Sequence, residues 1–196
     1  RVYEKETIHF DYLMFWDHGN LKKDDPQFVE KIKNYSAQFF VGKFINQECP
    51  TLSDKDIMAI GGCPVYSSAF WGYSLNTYDG VIHYDIEKEP LMDFGSVAFG
   101  AFHLCLYMGF KKIYLAGIDN SLNGYFKAEH TQRFLATQTI FEGWKKVKDF
   151  VAMFYPDVEI ISINPVGLKG LFKDVYTKEY LKTMPDIDIE NINILK

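Results

Sequence analysis

The side chains in this sequence best placed to do chemistry are Ser96, Asp119, Tyr125 and His130, with Asp17 and Asn164 as further loop candidates. Gly95-Ser96 stands at the head of an apolar helical stretch. The free N–H groups of a helix start suit a phosphate, while the same serine also reads as an ordinary N-cap. Asp119 follows directly on an apolar run, where a carboxylate can reach a ribose hydroxyl, a metal or a substrate hydroxyl. Asp119-Asn120-Ser121 is equally good chemistry for an Asx-turn. His130, beside Glu129 and just ahead of an amphipathic stretch, offers a neutral imidazole as general base toward a sugar hydroxyl, or else a polar side chain for a first helical turn. Tyr125 can donate to a phosphate, but it is one of 13 tyrosines.

Other catalytic signatures are missing. No Gly-x-Gly-x-x-Gly follows a strand, and neither a Walker loop nor a Gly-x-Ser-x-Gly elbow occurs. His9, His18, His83 and His103 lack metal-ligand spacing, and His103 falls inside an apolar helix, as a core histidine would. Cys49, Cys63 and Cys105 form no Cys-x-x-Cys pair and no disulfide framework, which points to a reducing, cytoplasmic setting. No protein metal site is therefore expected.

The elements that must position these residues alternate in type. Tyr12–Trp16 reads as a strand entering the loop Asp17–Asn20, and Asp24-Asp25-Pro26 as a helix start. Gln38–Val41, Ile57–Ile60 and Val81–Tyr84 read as strands, with the Gly- and aromatic-rich stretch Gly61–Tyr78 unassigned. Val97–Met108 is apolar nearly all round, ends at Gly109-Phe110, and leads through Lys111-Lys112 into Ile113–Ile118, expected as a fully buried, central parallel strand. A second helix is expected over Thr131–Phe154, with Phe134, Phe141, Trp144, Val147, Val151 and Phe154 on its apolar face. Tyr155-Pro156-Asp157 stops it, Val158–Ile163 forms another strand, and Asn164–Gly167 turns the chain. The tail past Lys178 reads as a short helix and, from about residue 183, a loosely structured end. This alternation predicts one α/β domain over residues 1–196, Rossmann-like and three-layered, with a mainly parallel sheet. Ligands of such sheets sit beyond the carboxyl ends of the strands, which selects the loops Asp17–Asn20, Asp119–His130 and Asn164–Gly170.

Composition narrows the partners. A net charge of −5 argues against nucleic acid or an anionic membrane as the main partner, and the basic run Lys145-Lys146-Val147-Lys148 reads as a solvated helix face. No apolar run is long enough to span a bilayer, and no signal peptide is visible. The aromatic share of 17% suits a core of large rings or a cleft that stacks on bases and sugars.

The segment Gly95–Asp119, with its Gly-Ser-Val start, Met-Gly-Phe-Lys-Lys-Ile-Tyr-Leu centre and Gly-Ile-Asp end, resembles a recurring segment of one superfamily. That superfamily holds bacterial sialyltransferases using CMP-sialic acid and proteins similar to the archaeal 6-hydroxymethylpterin diphosphokinase, many associated with surface polysaccharides. The resemblance continues through His130, the following helix and Ile161–Gly170. It implies that Gly95 and Ser96 hold the nucleotide, Tyr125 binds the donor phosphate and His130 deprotonates the acceptor. Asp17, Asp119 and Asn164 would then line the substrate region. The implied activity is transfer of a CMP-type sugar in polysaccharide or lipopolysaccharide assembly, with no cofactor for the chemistry. The partners would be the donor and a glycan acceptor, with room for peripheral membrane association and a homo-oligomer. Two other activities are compatible: Mg²⁺-dependent pyrophosphoryl transfer to a pterin, with Asp119 among the carboxylates, and a non-catalytic binding or assembly module. Ser121 stands where the sialyltransferases carry a tyrosine. The family's opening Gly-Asn-Gly-Pro-Ser-like loop has no counterpart after Arg1, so a domain lacking its first βα unit is expected.

Overall fold

Short apolar runs followed by turn residues set the strands of this protein, and one helix grows from a cap the strand reading overlooked. A computed structural model describes residues 10–15, 37–44, 53–67, 69–70, 77–78, 81–121, 134–184 and 192–195. It is of mixed α/β character and divides into two units, Arg1–Asp93 with Phe99–Ala101, and Phe94–Ala98 with Phe102–Lys196.

In the first unit β1 (Tyr12–Phe15), β2 (Gln38–Phe44) and β3 (Cys63–Ser67) form a parallel sheet in the order β1-β2-β3. Two expectations fail here. Ile57–Ile60 is not a strand: Asp54–Ala59 is a helix, α1, with Ile60 as its C-cap. The reason is a capping box, in which the Ser53 hydroxyl accepts the Asp56 N–H at 3.2 Å and the Asp56 carboxylate accepts the Ser53 N–H at 3.2 Å. Ile57, fully buried, joins Phe39 and Val41 in the core, with Leu13, Phe15 and Ile60 around it. Val81–Tyr84 is not a strand either; extended pairing falls instead on Leu91, which bridges Ser67 in parallel and donates its N–H to the Tyr66 carbonyl at 2.7 Å. Two residues on, the buried Asp93 carboxylate accepts a 2.9 Å hydrogen bond from the buried Ser67 hydroxyl. The stretch left unassigned contains β3 and a two-residue antiparallel pair, β4 (Ala69–Phe70) with β5 (Thr77–Tyr78).

In the second unit α2 (Val97–Tyr107) leads to β6 (Lys112–Ala116), and α3 (Phe134–Phe154) to β7 (Glu159–Ile163) and β8 (Lys173–Val175). The three strands are parallel, in the order β6-β7-β8. A Schellman motif ends α2. Gly109, at φ 81°, donates to the Leu106 carbonyl at 3.0 Å, and Phe110 to that of Cys105 at 3.2 Å. The expected central, fully buried strand is corrected: among the described residues β6 is the edge of its sheet, and only one of its faces is covered. Ile113 and Leu115 are buried, whereas Lys112, Tyr114 and Ala116 are exposed. Outward Lys112 meets Glu159, which also pairs with Lys173, so one carboxylate ties together the starts of all three strands.

Helix α3 buries Ile140, Trp144, Val147, Phe150 and Val151, a helical period, while Phe154 at its end is half exposed. Residues 131–133 of the expected helix lie outside the described residues. Lys145, Lys146 and Lys148 are solvated, with Val147 buried between them. Trp144, with no exposed surface, meets Phe102 and Phe172 edge-on at ring distances of 5.6 and 6.0 Å. His103 is buried in α2 with its ring edge-on to Phe150, 6.2 Å away. The tail forms the one-turn helix α4 (Lys178–Leu181), and Tyr176 pairs with Asn193–Leu195 through two 2.9 Å backbone bonds. Among the described residues no helix is long and apolar enough to cross a membrane.

Candidate functional site

The Schellman turn ends α2 after eleven residues, ~16 Å of helix, and the chain then enters the five residues of β6, ~17 Å of strand. Gly95 holds φ 90°, a conformation that favours glycine, and Ser96 is extended at φ −148° and ψ 136°. The Ser96 hydroxyl accepts the Ala98 N–H at 3.3 Å, which makes it the N-cap of α2. Phe94, buried just before this turn, lies against Gly143 of α3. A Cβ built at Gly143 would sit 2.5 Å from the Phe94 Cβ and 2.6 Å from its Cγ, so only glycine leaves room for that ring. The Lys146 ammonium lies 5.5 Å from the ring centroid.

Beyond β6 the chain passes Gly117 at φ 69° to Asp119, which is exposed, and Asn120, which is 8% exposed and left-handed at φ 43°. Beyond β7 it passes Asn164, half-buried at φ 49°, and the Pro165–Gly167 turn. These two loops interlock. Gly167 donates to the Asp119 carbonyl at 2.7 Å, and a Cβ on Gly167 would come within 2.0 Å of the Asn120 carbonyl oxygen. The Asn164 amide is engaged by the next element: its oxygen accepts the Thr177 N–H at 2.8 Å, and its nitrogen donates to the Thr177 hydroxyl at 3.1 Å. Thr177 in turn caps α4 by accepting the Tyr180 N–H at 3.2 Å. Burial, then the Asp174 carboxylate and Tyr180, raise the Tyr176 hydroxyl above its ordinary value, so it stays protonated at neutral pH.

The structure thus brings the Asp119 and Asn164 loops together beyond the carboxyl ends of β6 and β7, the end where open parallel sheets take ligands, while Gly95-Ser96 heads α2 in the same unit. Asp17, Tyr125 and His130 lie outside the described residues. Sequence reasoning missed Asn120, Gly143, Gly167 and Thr177. The one signal for Asn120 was its place in the Asp-Asn-Ser cluster, where attention fell on the aspartate. Burial pushes the Cys105 thiol above its usual value, an environment that suppresses thiolate chemistry. Among the described residues, no group of three or more His, Cys, Asp or Glu side chains is placed to hold a metal ion. An open hollow at the opposite end of the sheet, lined by Val151, Tyr155, Val158, Leu171 and Phe172 among others, contains none of the expected site residues.

Comparison with family models, with curated proteins and with solved structures finds no match to this chain.

Proposed function

We propose that this chain is a glycosyltransferase-type domain that uses a CMP-type activated sugar in surface polysaccharide or lipopolysaccharide assembly, on a Rossmann-like framework. The observation that supports this reading most is the meeting of the Asp119 and Asn164–Gly167 loops at the carboxyl ends of parallel strands, together with the resemblance carried by Gly95–Asp119, whose Ser96 caps α2. In this reading the start of α2 and Tyr125 hold the donor phosphate, and Asp17, Asp119 and Asn164 line the sugar and acceptor region. The reaction is an inverting, in-line displacement. An acceptor hydroxyl attacks the anomeric carbon, the bond from that carbon to the phosphate oxygen breaks, and CMP departs. His130 takes the hydroxyl proton, a role that contributes roughly two to four orders of magnitude to rate. Amides at Ser96 and the Tyr125 hydroxyl stabilise the charge on the departing phosphate.

The test is donor binding and turnover by the full chain with CMP-sialic acid and oligosaccharide acceptors. His130→Gln should bind donor as the parent does and turn over at least a hundredfold more slowly, because glutamine keeps a hydrogen bond but cannot take a proton. Near-normal turnover in His130→Gln refutes the base assignment. Mg²⁺-dependent pyrophosphoryl transfer from ATP to a hydroxymethylpterin, or no nucleotide binding at all, refutes the glycosyltransferase reading.

A further inference from the structure

Among the described residues β8 has one neighbouring strand, β7, and its outer edge is met by a later segment of its own chain. The Val175 carbonyl faces the β7 side and accepts the Asn164 N–H at 2.9 Å. By the alternation of a strand, Asp174 and Tyr176 therefore turn their N–H and C=O groups outward. Asn193–Leu195 answers that row. The Tyr176 N–H donates to the Asn193 carbonyl and the Leu195 N–H to the Tyr176 carbonyl, each at 2.9 Å. The Asn193 carboxamide then donates to the Asp174 carbonyl at 3.2 Å, which carries the cover one acceptor further along the edge. Asn193, Ile194 and Leu195 are all exposed, so hydrogen bonds rather than burial hold the segment in place. What it covers is a row of main-chain donors and acceptors, and an open row of that kind is a template for another strand.

We infer that Asn193–Leu195 is a releasable strap that keeps the β8 edge from pairing with the same edge of a second copy of this chain. The inference does not depend on the proposed function. The edge is self-complementary. With two copies antiparallel about a two-fold axis at Val175, Asp174 of each stands opposite Tyr176 of the other, and each such pair exchanges both of its N–H···O bonds. No like charges meet in this register, because Lys173 then stands opposite Thr177. The pairing supplies four main-chain bonds to two copies, whereas the strap makes three bonds in each copy. The strap also belongs to the same chain, so its closure carries no cost of association. The closed single copy therefore holds the advantage while the strap is intact, and loses it when the strap is weakened.

The experiment changes single residues of the strap in the full chain. It measures association by sedimentation velocity across a wide range of concentration, and amide hydrogen exchange at Tyr176. Leu195→Pro removes the N–H that the Tyr176 carbonyl accepts. Ile194→Pro is its control, because Ile194 is the residue paired with Tyr176 and its own N–H turns away from β8, so the same ring costs no bond to the edge. Leu195→Pro should associate at a concentration roughly tenfold lower than the parent, while Ile194→Pro associates as the parent does. In dilute solution the Tyr176 amide of Leu195→Pro should exchange roughly tenfold faster than the parent's, and it should regain protection as the larger species forms. Asn193→Ala leaves the backbone unrestrained and should shift both readings the same way by a smaller factor. It decides the matter if Leu195→Pro does not fold. Faster exchange at Tyr176 without stronger association overturns the inference, and so does no change in either reading. Association that rises equally in both proline variants, or that leaves the Tyr176 amide unprotected, overturns it as well.

Discussion

Replacing Gly167 by alanine is the sharpest test of how the candidate site is built. The new Cβ would lie 2.0 Å from the Asn120 carbonyl oxygen, 2.8 Å from its carbon and 2.9 Å from the Asp119 oxygen. All three are backbone atoms, so no side chain can swing aside. The loops must separate by ~1 Å or more to reach an ordinary contact distance. That separation breaks the 2.7 Å bond from Gly167 to the Asp119 carbonyl. Overpacking at ~1–3 kcal/mol and one lost hydrogen bond at ~1 kcal/mol give ~2–4 kcal/mol in all. For a chain of this length that lowers the midpoint of thermal unfolding by roughly 5–15 °C. Gly170 is the internal control, because it needs glycine for a different reason: φ is 78° and nothing lies within 4 Å of a built Cβ. Gly170→Ala should cost ~1–2 kcal/mol, and Gly170→Asn less, since asparagine tolerates the left-handed region. Asparagine should rescue nothing at Gly167. Thermal and urea unfolding of the four variants decides the matter. A Gly167→Ala protein as stable as its parent refutes the steric reasoning.

Other outcomes follow from the same geometry. Gly143→Ala gains ~1 kcal/mol of helix propensity but drives a methyl into Phe94, so it should be destabilised by ~1–2 kcal/mol net. Combined with Phe94→Gly, which removes the Phe94 Cβ as well as the ring, it should cost less than the two single changes added, and strict additivity in the double-mutant cycle would show that no clash exists. Glu159 is held below the ordinary carboxylate range by hydrogen bonds from Lys173 first and Lys112 second. A lowered folded-state value means that its stabilisation is present above the unfolded value, ~4.3, and is lost as pH falls through the folded value. The stability difference between the parent and Glu159→Gln should therefore exist at pH 7, close below the usual carboxylate range and shrink in high salt, because the pair is exposed to solvent. A difference that persists in acid contradicts this.

The parts of the fold that could be read in advance are those where local chemistry acts alone. Gly109-Phe110 marked the end of α2 because a left-handed glycine after an apolar helix has few other uses, and Ser96 marked its start for a similar reason. The period of Trp144, Val147 and Val151 identified α3, and β1, β2 and β7 fall where apolar runs meet turn residues. Ile57–Ile60 was misread because four apolar residues suit a strand or one helical turn equally. Ser53 and Asp56, lying just outside that window, decide between them. Pro64 hid β3, since proline weighs against a strand, yet here it takes the second position of one. The half-covered face of β6 could not be read from Ile113–Ala116, because its inward and outward positions carry similar side chains. At the candidate site, residue types pointed to Ser96, Asp119 and Asn164. The partition between exposed Asp119 and buried Asn120 depends on the Gly167 loop 47 positions away, and no local pattern encodes it.

Trp144 gives the second unit its own optical signal. An indole without exposed surface, bracketed edge-on by Phe102 and Phe172, sits in an apolar, asymmetric surround. Its emission is expected toward the blue, and its near-ultraviolet dichroism should vanish as soon as those rings lose their fixed arrangement, even while the helices persist. With Trp16 and Trp71 replaced by phenylalanine, the remaining fluorescence would follow the melting of this unit alone. Set against far-ultraviolet dichroism of the whole chain, that single chromophore would reveal whether the two units unfold in one transition or two.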